Sequence, residues 1–166
     1  MRVPDYELNF LGEAAALVDR GFSALEREAQ TSPDADAFGV YDRIEYMAGF
    51  GFVACQTYMV AVASRYGLKR SESFVLGPQH RTGRAMVEIT NAAANHWKHS
   101  SEWELGALDR RAQTTLDILR SVGVDTSAPY AVGNVLHKLL APHAMRFGNL
   151  IPFISQWRDL LHEGAA

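Results

Sequence analysis

Tyr46-Met47-Ala48-Gly49-Phe50-Gly51-Phe52-Val53-Ala54-Cys55-Gln56-Thr57-Tyr58-Met59-Val60-Ala61-Val62-Ala63 runs for 18 residues without a charged side chain. A stretch of that length is either a membrane span or a helix buried on every side. It contains no leucine or isoleucine, while Gly49, Gly51, Gln56 and Thr57 interrupt it, so its insertion into a bilayer is poorly driven. The reading is a central helix over about residues 38–66, ending at Gly67 as the residue that turns the chain out of the helix. Gly49, Gly51, Ala54 and Ala61 let neighbours come close. No membrane partner is expected.

Upstream, Pro4 and Asp5 suit the first turn of a helix. Leu8, Leu11, Ala15, Val18, Phe22, Leu25 and Ala29 then recur at alternating spacings of three and four. That narrow apolar seam predicts a helix over about 5–30, fit for a bundle or for a helical homodimer. Thr31-Ser32-Pro33-Asp34 ends it. Downstream, residues 67–80 form a polar connection whose Phe74-Val75-Leu76 reads as a short strand or a plug on the bundle. A third helix is expected over about 81–99. Ser101 with Glu104 reads as a capping box opening a fourth over about 102–121, with Leu105, Leu108, Ala112, Leu116 and Leu119 on one face. A fifth starts near Pro129, with Leu136, Leu139 and Leu140 inward, and stops at Pro142. A last one buries Ile151, Ile154, Trp157 and Leu161. The expected fold is all-α, one domain over 1–166, a bundle of five to six helices around the apolar central one.

The whole chain has 166 residues, 48% of them hydrophobic and 21% charged, and a formal net charge of −3, which is globular and argues against dominant attraction to nucleic acid. No DNA-specific signature is present. The average hides a polarity: residues 1–45 are strongly acidic, and residues 65–84 hold Arg65, Lys69, Arg70, Arg81 and Arg84 against Glu72 alone. Such a segment serves an acidic partner face or is simply solvated. A single cysteine, Cys55, makes no internal bridge, and the N-terminal residues lack the apolar core of a signal peptide, so cytoplasm is the expected compartment.

The polar pattern of residues 84–102 stands out. At 100° per residue, Arg84, Glu88, Asn91, Asn95, Lys98 and Glu102 fall near one line with His99 beside it, opposite Met86, Ile89, Ala93 and Trp97. Two asparagines at i, i+4 are poor helix formers for a free surface, which takes Glu, Lys, Gln or Arg instead. They therefore point to partners: polar groups of another helix, a ligand, or a second subunit. The bland alternative is a solvated face with Arg84–Glu88 as an i, i+4 ion pair. The ligand or interface candidates are Arg84, Glu88, Asn91, Asn95, Lys98 and His99.

The string Asn91-Ala-Ala-Ala-Asn95-His96-Trp97-Lys98-His99, with Arg84 upstream, resembles the Arg…Asn…Lys-His helix of HEPN-like bacterial proteins. The resemblance spans about 20 residues and implies an all-α, often dimeric scaffold. Many members of that superfamily are ribonucleases of toxin–antitoxin and phage-defence systems. Those ribonucleases place four to six residues between an arginine and a following histidine, and no pair here has that spacing; Arg158 and His162, with three between them, come closest. The resemblance therefore implies a binding or regulatory protein of bacterial or phage origin, with protein or RNA as partner, more than a working nuclease. The alternatives are a metal-independent ribonuclease using His99 as base with Lys98 or Arg84 as the cation, and an adaptor docking through the 65–84 segment.

Six histidines raise the question of metal. His96 and His99 lie on one helix near Glu102, but the paired Glu-x-x-His motifs of di-iron bundles are missing, so no metal or cofactor is expected. Neither a glycine-rich phosphate loop nor a nucleophile elbow occurs. Trp97, Trp103 and Trp157 read as core.

Overall fold

The computed structural model describes residues 5–104 and 108–164. Helix α1 (Tyr6–Thr31) opens at Asp5, whose Oδ1 accepts from the Leu8 N–H at 2.9 Å, the side-chain cap that satisfies one of the free amides of a first turn. Its buried residues are Leu11, Ala15, Val18, Phe22 and Leu25, and they face α2 (Val40–Arg65). The seam that suggested a homodimer is thus the inner face of α1, closed within the protomer.

Helix α2 is the central element, as its uncharged run requires. It packs against α1 on one side, α4 (Met86–Glu104) on another and α6 (Ala131–Leu140) on a third. Ala48, Phe52, Cys55, Met59 and Val62 are essentially inaccessible. Its two interior glycines are packing positions. A Cβ on Gly49 would lie 2.2 Å from the Trp97 ring, and one on Gly51 would lie 2.2 Å from the Phe147 ring. By length and composition α2 is the one described helix apolar enough to cross a membrane, yet 56% of its most apolar window is buried among the other helices.

Between α2 and α4 the chain makes one turn of helix, α3 (Arg70–Ser73), and the expected plug is a single side chain. Phe74 is buried edge-on against Trp157, with ring centroids 5.7 Å apart, while Val75 and Leu76 are exposed. Trp157 Nε1 donates to the Ser73 carbonyl at 2.8 Å, which fixes the loop on α7 (Ile151–Gly164). No strand forms among the described residues; Gln79 and Ala85 make only an isolated bridge.

The boundaries near residue 100 need correction. The expected capping box at Ser101 and Glu104 does not open a helix: α4 begins at Met86, later than expected, and continues through Ser100 and Ser101 to Glu104. Helix α5 (Arg110–Ser121) starts instead at Asp109, whose Oδ1 accepts from the Ala112 N–H at 2.7 Å. Ala112, Leu116 and Leu119 face inward as expected, Leu108 is exposed, and Leu105 lies outside the described residues. Helix α6 buries its expected leucines, and α7 buries Ile154, Trp157 and Leu161 as expected, with Ile151 only half-buried. The architecture is all-α, with six helices longer than one turn among the described residues and a short 3-10 turn at Phe147–Asn149.

Two N-termini are capped from a distance. Glu45 on α2 accepts from the Val132 and Gly133 N–H groups at 2.7 Å each, closing the start of α6. Asp19 on α1 accepts from the Phe147 and Gly148 N–H groups at 2.7 and 2.9 Å, closing the 3-10 turn. Burial pushes the Glu45 carboxyl above its usual range, although both amide bonds oppose that shift.

Candidate functional site

The asparagines of α4 do have a partner, and it comes from the middle of α2. Gln56 is 5% exposed and is the buried polar residue that, next to the exposed Thr57, interrupts the apolar run. Its Nε2 donates to Asn91 Oδ1 at 2.7 Å and to Asn95 Oδ1 at 2.8 Å, and its Oε1 accepts from Lys98 Nζ at 2.7 Å. Of the three kinds of partner open from the sequence, polar groups of another helix are the ones present.

The chemistry of the four groups admits one orientation. An ammonium has donors and no acceptor, so the Gln56 atom facing Lys98 is the carbonyl oxygen. The Gln56 nitrogen must then face the asparagines, and each asparagine must answer with its oxygen. Both Nδ2 groups consequently turn away from Gln56, and no protein acceptor among the described residues takes either of them. Asn91 and Asn95 are half-buried and Lys98 is exposed, so the cluster closes inward and meets solvent with donors.

The charge environment matches. Lys98 is held below the ordinary lysine range, first by loss of hydration and then by the positive charge of Arg70. Arg70, drawn from the basic 65–84 segment, therefore acts on the same patch as the α4 stripe. The other members of that segment disperse. Arg65 pairs with Glu7 at 2.5 Å, Lys69 lies 3.7 Å from Glu72, and Arg81 is exposed.

The remaining stripe residues form separate groups. Arg84 donates to Glu88 Oε1 at 3.0 Å and to Ser121 Oγ at 2.8 Å, tying the start of α4 to the end of α5. That ion pair is the one the bland reading anticipated. His99 Nδ1 lies 3.1 Å from Glu102 Oε2, and its ring stacks on Trp103 with centroids 6.2 Å apart. Arg84 lies just before α4, and thirteen helical rises put His99 about 20 Å along the axis from Met86. The structure brings Lys98, Asn91 and Asn95 together and leaves Arg84 and His99 apart. Among the described residues no three His, Cys, Asp or Glu side chains gather as metal ligands would; His96 is buried, edge-on to Trp103.

Sequence reasoning missed Gln56 as a site residue. Its signal was a lone side-chain amide within the charge-free run 46–63, which the apolar context made look incidental. One turn-pair along the same α2–α4 seam, Trp97 covers Gly49 and is met edge-on by Tyr46 at 4.9 Å and Phe50 at 6.4 Å, both of them more than half exposed. Trp97 and Trp103 are only partly buried, so of the three tryptophans Trp157 alone is full core.

Compared with known proteins, the chain matches no family model, no curated protein and no solved structure.

Proposed function

We propose that this chain is a cytoplasmic binding protein that holds an oxyanion, a phosphate or a carboxylate, over the α2–α4 seam. One observation carries the reading: the Lys98 ammonium orients Gln56, and Gln56 in turn orients Asn91 and Asn95, so that the outward groups are all donors. Two neutral amide donors and an ammonium in one cluster, with Arg70 adding to the local potential, are the complement of an anionic oxygen cluster. The net charge of −3 makes this a local attraction. The ribonuclease alternative finds less support: Arg84 is occupied by Glu88 and Ser121 at the far end of α4 from His99, and Lys98, the other candidate cation, is engaged by Gln56. The adaptor alternative narrows to Arg70, the one member of the basic segment that acts on the patch.

The test is a titration followed by the side-chain amide resonances of Asn91 and Asn95, with inorganic phosphate in one arm and acetate in the other. Saturable shifts with phosphate, acetate or both support the reading and name the source. Gln56→Glu supplies the control. A carboxylate still accepts from Lys98, but it forces both asparagines to turn their nitrogens inward and present oxygens to solvent. That variant should stay folded and lose binding. No saturable shift in the wild-type protein, or equal binding by Gln56→Glu, overturns the proposal.

A further inference from the structure

The inner seam of α1 is closed inside the bundle, yet α1 carries a second stripe on its outer face. Tyr6, Phe10, Glu13, Leu17, Arg20 and Ala24 recur at alternating spacings of four and three and fall within about 40° of one line. Tyr6, Phe10 and Leu17 are 66%, 69% and 62% exposed, which is unusual for three large apolar side chains on one helix face. Glu13 and Arg20 are also exposed, and neither forms an ion pair among the described residues. Seven residues apart on one helix, they stand about 10 Å from each other and do not meet.

We infer that the outer face of α1 is the contact between two copies of this chain, packed antiparallel about a two-fold axis. The argument is self-complementarity, the condition that an isologous interface imposes. With the axis crossing the face beside Leu17, the two Leu17 side chains meet at its centre. Glu13 of each copy then faces Arg20 of the other, and Phe10 of each lies over the small Ala24 of the other. Toward the ends, Tyr6 comes opposite Arg27 and Glu28, and the exposed Arg27 guanidinium is able to stack on its ring. Large meets small, apolar meets apolar and acid meets base from Phe10 to Ala24, within a stripe about 30 Å from end to end. A parallel arrangement would instead set Glu13 on Glu13 and Arg20 on Arg20. The apolar centre supplies the affinity, and the charge pairs set the direction and register, since exposed ion pairs contribute little by themselves. This contact is independent of the oxyanion site, which lies on α2 and α4.

Sedimentation velocity on the full chain at tens of micromolar tests it. The wild-type protein is expected to be a dimer. Leu17→Asp and Phe10→Glu, both at exposed positions that leave the core intact, are expected to sediment as monomers with unchanged far-UV circular dichroism. Glu13→Arg alone is expected to raise the dissociation constant about tenfold or more. Adding Arg20→Glu to it restores the pairing with the charges exchanged and should recover most of the loss. A monomeric wild-type chain, or a Leu17→Asp variant that stays dimeric, overturns the interface. A double charge reversal no tighter than the single one overturns the antiparallel register.

Discussion

Lys98 Nζ stands 2.7 Å from Gln56 Oε1, so a surface ammonium on α4 sets the orientation of a buried amide on α2. Through that one bond the lysine also determines which atoms two asparagines show to solvent. Replacing Gln56 by methionine keeps the volume and removes its side-chain hydrogen bonds to Asn91, Asn95 and Lys98. Lys98 and both asparagines reach water and can rehydrate, so the cost stays at about 1–3 kcal/mol. Urea unfolding of Gln56→Met against the wild type measures it. A difference near zero would mean that the cluster contributes nothing to holding α2 against α4.

Gly49→Ala is expected to destabilise the fold, against helix propensity. Alanine gains about 1 kcal/mol over glycine in a helix interior. Here its Cβ would lie 2.2 Å from the rigid ring system of Trp97, and relieving that overlap costs about 1–3 kcal/mol beyond the gain. A lower melting temperature together with a shifted tryptophan emission checks the prediction, because Trp97 must leave its place between Tyr46 and Phe50.

Acid should act through Asp5. Burial pushes its carboxyl up, but the Leu8 N–H, the Tyr58 hydroxyl at 2.8 Å and Arg158 at 2.9 Å together hold it below the usual range. A carboxylate whose folded pKa is depressed contributes stability that is fully present above its unfolded value, near about 3.9. That contribution is lost as pH falls through the lower folded value. Asp5→Asn is therefore expected to be less stable at neutral pH, and its stability should fall less steeply than the wild type's below about pH 4. Parallel slopes for the two proteins would contradict this.

Oxyanion binding should fail on the alkaline side earlier than for an ordinary lysine site. Lys98 loses its proton at a lower pH because its ammonium is partly stripped of water and sits near Arg70. As pH rises through that lowered value, the charge on the patch disappears and phosphate affinity drops. Lys98→Arg, which stays charged, should move the loss to higher pH; an unchanged profile would assign the pH dependence to another group.

Much of this architecture was legible in the chain, and the failures have physical causes. Periodicity located the helices because each buries one face, as Leu11, Ala15, Val18 and Phe22 show in α1. The paired asparagines were a sound signal for a partner, since nothing about an isolated helix favours them. Their partner Gln56 was not legible: which of α2's residues faces Asn91 depends on how two helices cross, and no local pattern encodes that. Ser101 and Glu104 misled because serine serves both as a helix cap and as an interior residue. Asp109, able to accept from Ala112 N–H, was the better start, and nothing in the spacing alone ranked one above the other. The outer stripe of α1 went unread beside the inner seam, because only the packed bundle shows which face stays uncovered.

The distant caps on α6 and the 3-10 turn bear on the order in which the chain assembles. Neither segment finishes its own beginning: Tyr130 precedes α6 in a left-handed conformation with no side-chain cap, and Arg146 offers none to the turn. The missing acceptors arrive on Glu45 and Asp19, carried by helices laid down about a hundred residues earlier in synthesis. The C-terminal quarter therefore depends on acceptors that α1 and α2 provide. Cut free from those two helices, the peptide 125–164 would be expected to remain largely unstructured in water.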